Sequence, residues 1–298
     1  MPDKYQRIDF RDAIAKNKWK SFFLMFMIFC VIIALGYVIG KAWGALDIFS
    51  ILIIAIIISI SYLLITYYNS DKIALFSVNA REAKREDYKL YYDVVEGITI
   101  ASGLPMPKLY VMPSEQINAF ASGRDPKHSV VCVTKGALEK LDRRELEGVV
   151  AHELGHIGSY DIRYMTLVAV MVGIISIISE IFLRSLWFRG GGGNSRENRG
   201  NAIFVVIGVI LAILAPILVF FVQMAISRKR EFSADASAVK FTRYPPGLIG
   251  ALEKIKYQNV PDKKVTKAVA PLFFANPFKE IGSTHPSIEK RIELLKRM

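Results

Sequence analysis

Residues His152 to His156 read His-Glu-Leu-Gly-His, inside a proline-free run from Glu145 to Tyr164 that predicts a helix. Residues four apart lie on one face of a helix. His152 and His156 are therefore placed to hold one metal ion between them, with Glu153 one step round beside it. That pattern suits metal-assisted hydrolysis of a peptide bond: two imidazoles bind zinc, and the carboxylate takes a proton from the attacking water. Histidine is scarce, with four in 298 residues, and two of the four sit in this pentapeptide. A chance match is the weaker explanation.

A third ligand must come from elsewhere. A glycine at 159 and a histidine at 162 would have supplied one locally, but the chain has Ser159 and Ile162. The best-placed acid is Glu231, in Arg230-Glu-Phe-Ser-Ala-Asp235. Two apolar runs separate it from His156. The first begins about 10 Å after His156 and the second ends about 7 Å before Glu231, counting 1.5 Å per helical residue. An antiparallel pair of such runs returns Glu231 to the face that carries the histidines. Asp235 lies one turn further on, where it could accept the ring N–H of a ligand histidine. The plainer alternative is that Glu231 and Asp235 only complement the start of a helix.

The elements around these residues are unusually apolar. The chain is 52% hydrophobic, with mean hydropathy +0.32. Phe22 to Gly40 and Ile48 to Thr66 carry no charge, and each is long enough to cross a bilayer core of about 30 Å. Tyr164 to Leu183 is broken only by Glu180, and Ala202 to Ile226 only by Pro216. Four hydrophobic helices are expected, the last two either as full spans or as a hairpin that inserts without crossing. The first run is too long for a cleaved leader and is closely followed by a second.

The net charge of +12 gathers at the ends of these runs. Lys16, Lys18 and Lys20 precede the first, Arg163 precedes the third, and Arg228, Lys229 and Arg230 follow the fourth. This points to a lipid bilayer rather than nucleic acid as the partner. By the positive-inside rule it places both termini and the segment from Tyr67 to Arg163 in the cytosol. Arg184, Arg189, Arg196 and Arg199, around the glycine run Gly190 to Gly193, would then lie outside, against the rule. Cys30 falls in an apolar run and Cys132 in a strand candidate, so no disulfide is expected.

The expected fold is a mainly α membrane protein with an α+β catalytic domain. Its parts are residues 1–68 (cytosolic segment and two helices), 69–163 (first catalytic part), 164–226 (hydrophobic hairpin) and 227–298 (second catalytic part). Asp71 to Tyr92 reads as mostly helical. Lys108 to Met112, Ile117 to Ser122 and Ser129 to Val133 read as strands of a small antiparallel sheet, with Gly123 to Lys127 as the turn between the last two. Leu138 to Leu141 is helical, and Asp142 with Glu145 forms a capping box that starts the His152 helix. Ser227 to Met298 is helical at both ends, with an interruption around Tyr244 to Gly247.

Four motifs in order now carry a resemblance. His152-Glu-Leu-Gly-His156 among four apolar runs, Glu231-Phe-Ser-Ala-Asp235, Asn118-Ala-Phe-Ala-Ser-Gly123 and Thr284-His-Pro-Ser-Ile-Glu-Lys-Arg291 resemble the HtpX membrane metalloproteases, relatives of the CAAX prenyl proteases. The resemblance runs nearly end to end. It implies a gluzincin-type zinc endopeptidase of a bacterial or archaeal inner membrane that degrades or clips damaged membrane proteins. One Zn²⁺ would be held by His152, His156 and Glu231, with Glu153 as the base and Asp235 behind a ligand histidine. Asn118, Ala119, Phe120 and Ala121 would be an edge strand that receives substrate as an added strand. His285 and Arg291 match the family's positions near the oxyanion. Ser122 stands where the family commonly has threonine. Two other functions stay open: a narrow processing enzyme for modified C-termini, and a non-catalytic membrane scaffold or chaperone that uses zinc for folding. Four runs are fewer than the larger prenyl proteases need to enclose a chamber. A structural zinc has no need of a base such as Glu153.

Overall fold

The computed structural model describes residues 10–43, 48–168, 228–258, 272–275 and 286–298, with single positions 180, 206, 209 and 210. The chain opens with two long helices packed on each other, α1 (Phe10–Trp43) and α2 (Ile48–Ser77). They contain the first two apolar runs. Among the described residues no helix is long and apolar enough to cross a membrane. The third and fourth runs and the arginine- and glycine-bearing loop between them lie outside the described residues, apart from 164–168 and the single positions. Helix α2 kinks at Asn69, just past the second run, where φ is −122° and ψ is 20°. There the Asn69 amide donates back to the Ile65 carbonyl at 3.0 Å.

The expected helix over Asp71 to Tyr92 is divided. Helix α2 stops at Ser77, Asn79 turns the chain with φ 53°, and Arg81–Glu82 forms a short strand β1 before α3 (Lys89–Ser102) begins. Strands β2 (Lys108–Met112), β3 (Ala119–Asp125) and β4 (His128–Thr134) complete a four-stranded sheet in the order β1-β2-β4-β3. The expected antiparallel sheet is in fact mixed, because β2 and β4 run parallel, with Leu109 opposite Val131. The reason lies in β4. Its run Val130-Val131-Cys132-Val133 is buried on both faces, which suits an interior strand and not an edge. The hairpin therefore folds back to seat β4 between β2 and β3, leaving β3 at the edge.

Alternation along the strands feeds two cores. Ala119, Ala121, Val131 and Val133 face a cluster that includes Val149, Val150 and Leu154. Phe120, Val130 and Cys132 face the other side, against Ala74 and Leu75 of α2. After β4, Thr134 caps the short helix α4 (Lys135–Lys140). Asp142 and Glu145 then form the capping box that starts α5 (Arg143–Gly158), each side chain bonding the other's backbone N–H at 2.8–2.9 Å. Helix α5 is the centre of the fold. It packs on α3, on β3 and on two later helices, α6 (Arg228–Thr242) and α7 (Pro245–Gln258). Pro245 and Pro246 open α7 instead of prolonging a break, since the first helical turn needs no N–H donor. Helix α8 (Ile288–Leu295) closes the chain.

Candidate metal centre

The two histidines project from α5 into the interior, and α6 brings the third acid to them. His152 Nε2 and His156 Nε2 are 3.1 Å apart. Glu231 Oε2 is 3.6 Å from the first nitrogen and Glu231 Oε1 is 3.6 Å from the second. One ligand atom from each of the three residues lies within 4.8 Å of the others. A tetrahedral zinc with bonds of 2.0–2.1 Å sets its ligand atoms about 3.3 Å apart, so this triangle has the right size. The helices approach so closely because Gly155 faces α6. A Cβ there would lie 3.0 Å from Ser237 Cβ and 3.3 Å from Ala234 Cα.

Each histidine turns its other nitrogen to an acid. Asp235 Oδ1 is 2.9 Å from His152 Nδ1, and Asp161 Oδ2 is 3.2 Å from His156 Nδ1. An acid facing Nδ1 favours a proton there and leaves the Nε2 lone pair toward the shared centre. Asp235 is held in turn by Arg291, which is fully buried. Its Nε and Nη2 donate to the carboxylate at 2.9 and 2.7 Å, and Nη1 donates to the Phe274 carbonyl at 3.0 Å. Burial opposes ionisation of Asp235, but Arg291 and His152 outweigh it and keep its pKa below the usual carboxylate value.

Glu153 sits beside the triangle without being part of it. It is 1% exposed, and its Oε1 has no hydrogen-bond partner among the described residues. Burial pushes its pKa up to about 7; His156 opposes this, Glu231 adds to it, and the Ala121 N–H and Arg291 oppose it. An orphaned buried oxygen next to three convergent ligand atoms fits a centre built to take a cation and a water.

The structure also places residues that the sequence pattern did not single out. A helix continued from Glu145 to Tyr164 would carry Asp161 away from His156. The helix instead stops at Gly158, and Tyr160 takes the left-handed φ of 61° before helix resumes over 161–168. This break turns Asp161 back onto His156. The strained turn is held from outside by α1: the Asn17 amide donates to Asp161 Oδ1 at 2.7 Å and to the Ser159 carbonyl at 3.0 Å. Lys18 lies over the Tyr160 ring, 4.6 Å from its centroid. The only sequence signal was an acid shortly after the motif. Asp161→Asn should weaken metal binding on the order of 10–100-fold, measured by competition with a chromophoric chelator. Asn17→Leu should weaken it in the same direction without touching a ligand. Unchanged affinity in both variants would leave Asp161 with a purely structural role.

Asn118 immediately precedes edge strand β3, and Ala119, Phe120 and Ala121 are its first three residues. All four are buried. Their outer edge runs past Glu153 and is met by residues 272–275 through a bridge between Phe120 and Phe273. The Phe274 ring packs edge-on against His152, with centroids 4.8 Å apart. Arg291 is thus brought to the centre through Asp235. His285 lies outside the described residues.

The profile of peptidase family M48 matches residues 84–298. The chain belongs to peptidase family M48. Among its relatives, a protease HtpX homolog of Caldanaerobacter subterraneus subsp. tengcongensis is 43% identical over 291 residues, covering 95% of this chain and 96% of that one. A protease HtpX homolog of Dictyoglomus turgidum is 42% identical over 294 residues, covering 97% and 95%. The crystal structure of S. mikatae Ste24p shares the fold, with a TM-score of 0.50 at 19% identity. The alignment covers 95% of this M48 chain and 66% of the Ste24p chain.

Proposed function

We propose that this M48 chain is a membrane-bound zinc endopeptidase that cuts misfolded or damaged membrane proteins and loose unfolded chains. One observation carries the reading: a buried carboxylate, Glu153, stands beside three metal-ligating groups without being one of them. A purely structural site would need only the ligands. His152, His156 and Glu231 would hold the ion, with Asp235 and Asp161 orienting the two rings. Zinc, when bound, supplies Lewis acidity to a water and to the scissile carbonyl. Glu153 then takes the water's proton as its oxygen adds to the carbonyl carbon, and delivers that proton to the amine nitrogen when the C–N bond breaks. Arg291 keeps Asp235 charged behind His152, and the β3 edge with Asn118 aligns an extended substrate backbone.

Residues 69–163 and 227–298 act in this reading as two halves of one catalytic unit, joined where α5 meets α6. Membrane attachment is supported by the surface of α1 and α2. Trp19, Phe22, Phe23 and Phe26 on α1, and Ile53, Ile57, Ile58 and Ile65 on α2, are more than half exposed. Soluble monomers rarely expose so much contiguous apolar surface. A belt of cation–aromatic pairs lies where these helices meet the catalytic unit: Lys18 on Tyr160, Arg163 on Tyr67, Arg124 on Tyr68 and Arg230 on Tyr164. Such residues gather at the headgroup level of bilayers. The site would then face the cytosol close to the membrane, with cytosolic loops and tails as substrates.

The test is cleavage of casein by the full-length chain in detergent. Zinc-loaded protein should cut it, a chelator should stop the reaction, and added zinc should restore it. No cleavage at full zinc occupancy would sink the reading. For orientation, an Asp262→Cys variant should be labelled only from the cytosolic side of intact cells and Asn194→Cys only from outside. Labelling of both from one side would make the third and fourth runs a re-entrant hairpin.

A further inference from the structure

Among the described residues, the outer edge of β3 is the sheet edge beside the metal centre, and the chain's own residues 272–275 lie on it. They bind it as a peptide would. The Phe274 N–H donates to the Ala119 carbonyl at 2.7 Å. The Ala275 N–H donates to Asn118 Oδ1 at 3.0 Å, and Asn118 Nδ2 donates to the Ala275 carbonyl at 2.8 Å. Arg291 Nη1 donates to the Phe274 carbonyl at 3.0 Å. All four backbone polar atoms of Phe274 and Ala275 are therefore satisfied by Asn118, Ala119 and Arg291. The segment runs antiparallel to β3, with Phe273 opposite Phe120.

The side chains of the segment follow the same logic. The Phe274 ring is 1% exposed, stands edge-on to His152, and lies under the Arg291 guanidinium, 4.4 Å from ring centroid to Cζ. Phe273 turns the other way and packs on Phe120, with centroids 5.3 Å apart. Glu153 is at the same level, since the Ala121 N–H points at its carboxylate. An added strand passing this point has its backbone fixed by main-chain and amide bonds, which are indifferent to sequence. The residue at the Phe274 position is judged by its side chain against His152, and the one at the Phe273 position by its fit on Phe120.

We infer that residues 272–275 occupy the strand position of a substrate, so that the site accepts an extended segment with a large apolar side chain seated against His152, and that a substrate enters by displacing them. This rests on the endopeptidase reading and names the substrate class of the same site. It also explains how a buried proteolytic centre stays closed until an unfolded chain competes for the edge. Unfolded membrane proteins, rich in apolar residues, are well matched to that exchange.

The test uses the full-length, zinc-loaded Glu153→Gln protein in detergent, with a blocked, fluorescent Leu-Phe-Phe-Ala peptide copying 272–275. Ala275→Pro added to that background removes the N–H that bonds Asn118, while proline keeps the preceding Phe274 extended. With its own segment loosened, that variant should bind the peptide on the order of tenfold more tightly, as expected for one or two lost hydrogen bonds. Hydrogen exchange at the Phe274 amide should also speed up when the peptide or unfolded casein saturates the Glu153→Gln protein. Equal peptide affinity with and without Ala275→Pro, or undiminished protection of Phe274 under saturating ligand, would make 272–275 a fixed wall and overturn the inference. These readouts need no turnover. A failure of wild-type protein to cut casein would count against the endopeptidase reading separately.

Discussion

Glu153→Gln should keep its metal and lose proteolysis, with kcat falling about 10²–10⁴-fold, the range for removing a positioned general base. The substitution keeps the size of the side chain and an oxygen that can still accept from the Ala121 N–H. It adds no charge to a site where Glu153 is already buried beside Glu231. The three groups of the metal triangle remain. Glu231→Ala is the informative contrast, because it removes one corner of that triangle and should lose metal and activity together. Metal content by atomic emission, alongside casein cleavage, separates the two variants. Wild-type turnover by Glu153→Gln would sink its role as the base. Zinc lost from Glu153→Gln but kept by Glu231→Ala would exchange the two assignments. The inactive variant should also be recovered intact in higher yield if the wild-type protein cuts itself during purification.

Arg291→Met should destabilise the fold by about 3–5 kcal/mol, the usual cost of breaking a buried ion pair and leaving one charge behind. Arg291 is 1% exposed, donates twice to Asp235 and once to the Phe274 carbonyl, and has its Nη2 3.3 Å from His152 Nδ1. Without it, Asp235 is left buried with His152 as its partner among the described residues, and Glu231 loses a cation 3.9 Å away. Chemical denaturation in detergent measures the effect. The double variant Arg291→Met, Asp235→Leu should recover a large part of the loss, because the uncompensated charge goes with its partner. It should still bind metal poorly, since His152 no longer has an acid behind its ring. A denaturation midpoint unchanged by Arg291→Met would show that the pair does not contribute to stability.

The helix that carries the candidate histidine ligands was legible in the sequence because it is local. The spacing of His152 and His156, the flanking Glu153 and the Asp142–Glu145 capping box all follow from helical periodicity and backbone donors within one turn. Glu231 was legible by a longer argument, from an expected antiparallel pairing of two apolar runs that lie largely outside the described residues. Strands β2, β3 and β4 were legible to within a few residues from alternation and turn residues, whereas β1 fell inside an expected helix. Their arrangement was not, because the burial that makes β4 an interior strand depends on α2, α3 and α5 covering both faces.

What only the tertiary structure decided are contacts between distant segments. Asp161 reaches His156 because the helix breaks at Tyr160 into a left-handed turn that α1 holds through Asn17 and Lys18. Nothing within the motif requires that break. Arg291 carried a family resemblance, but its bonds to Asp235 and Phe274 span 56 and 17 residues and arise from where α8 packs. The seat of residues 272–275 on the β3 edge is likewise a choice among strands that could pair there. Sequence periodicity specifies which face of an element is apolar and which side chains share it. Which two faces meet is set by the packing of the whole chain, and the finer chemistry of this centre lies at those meetings.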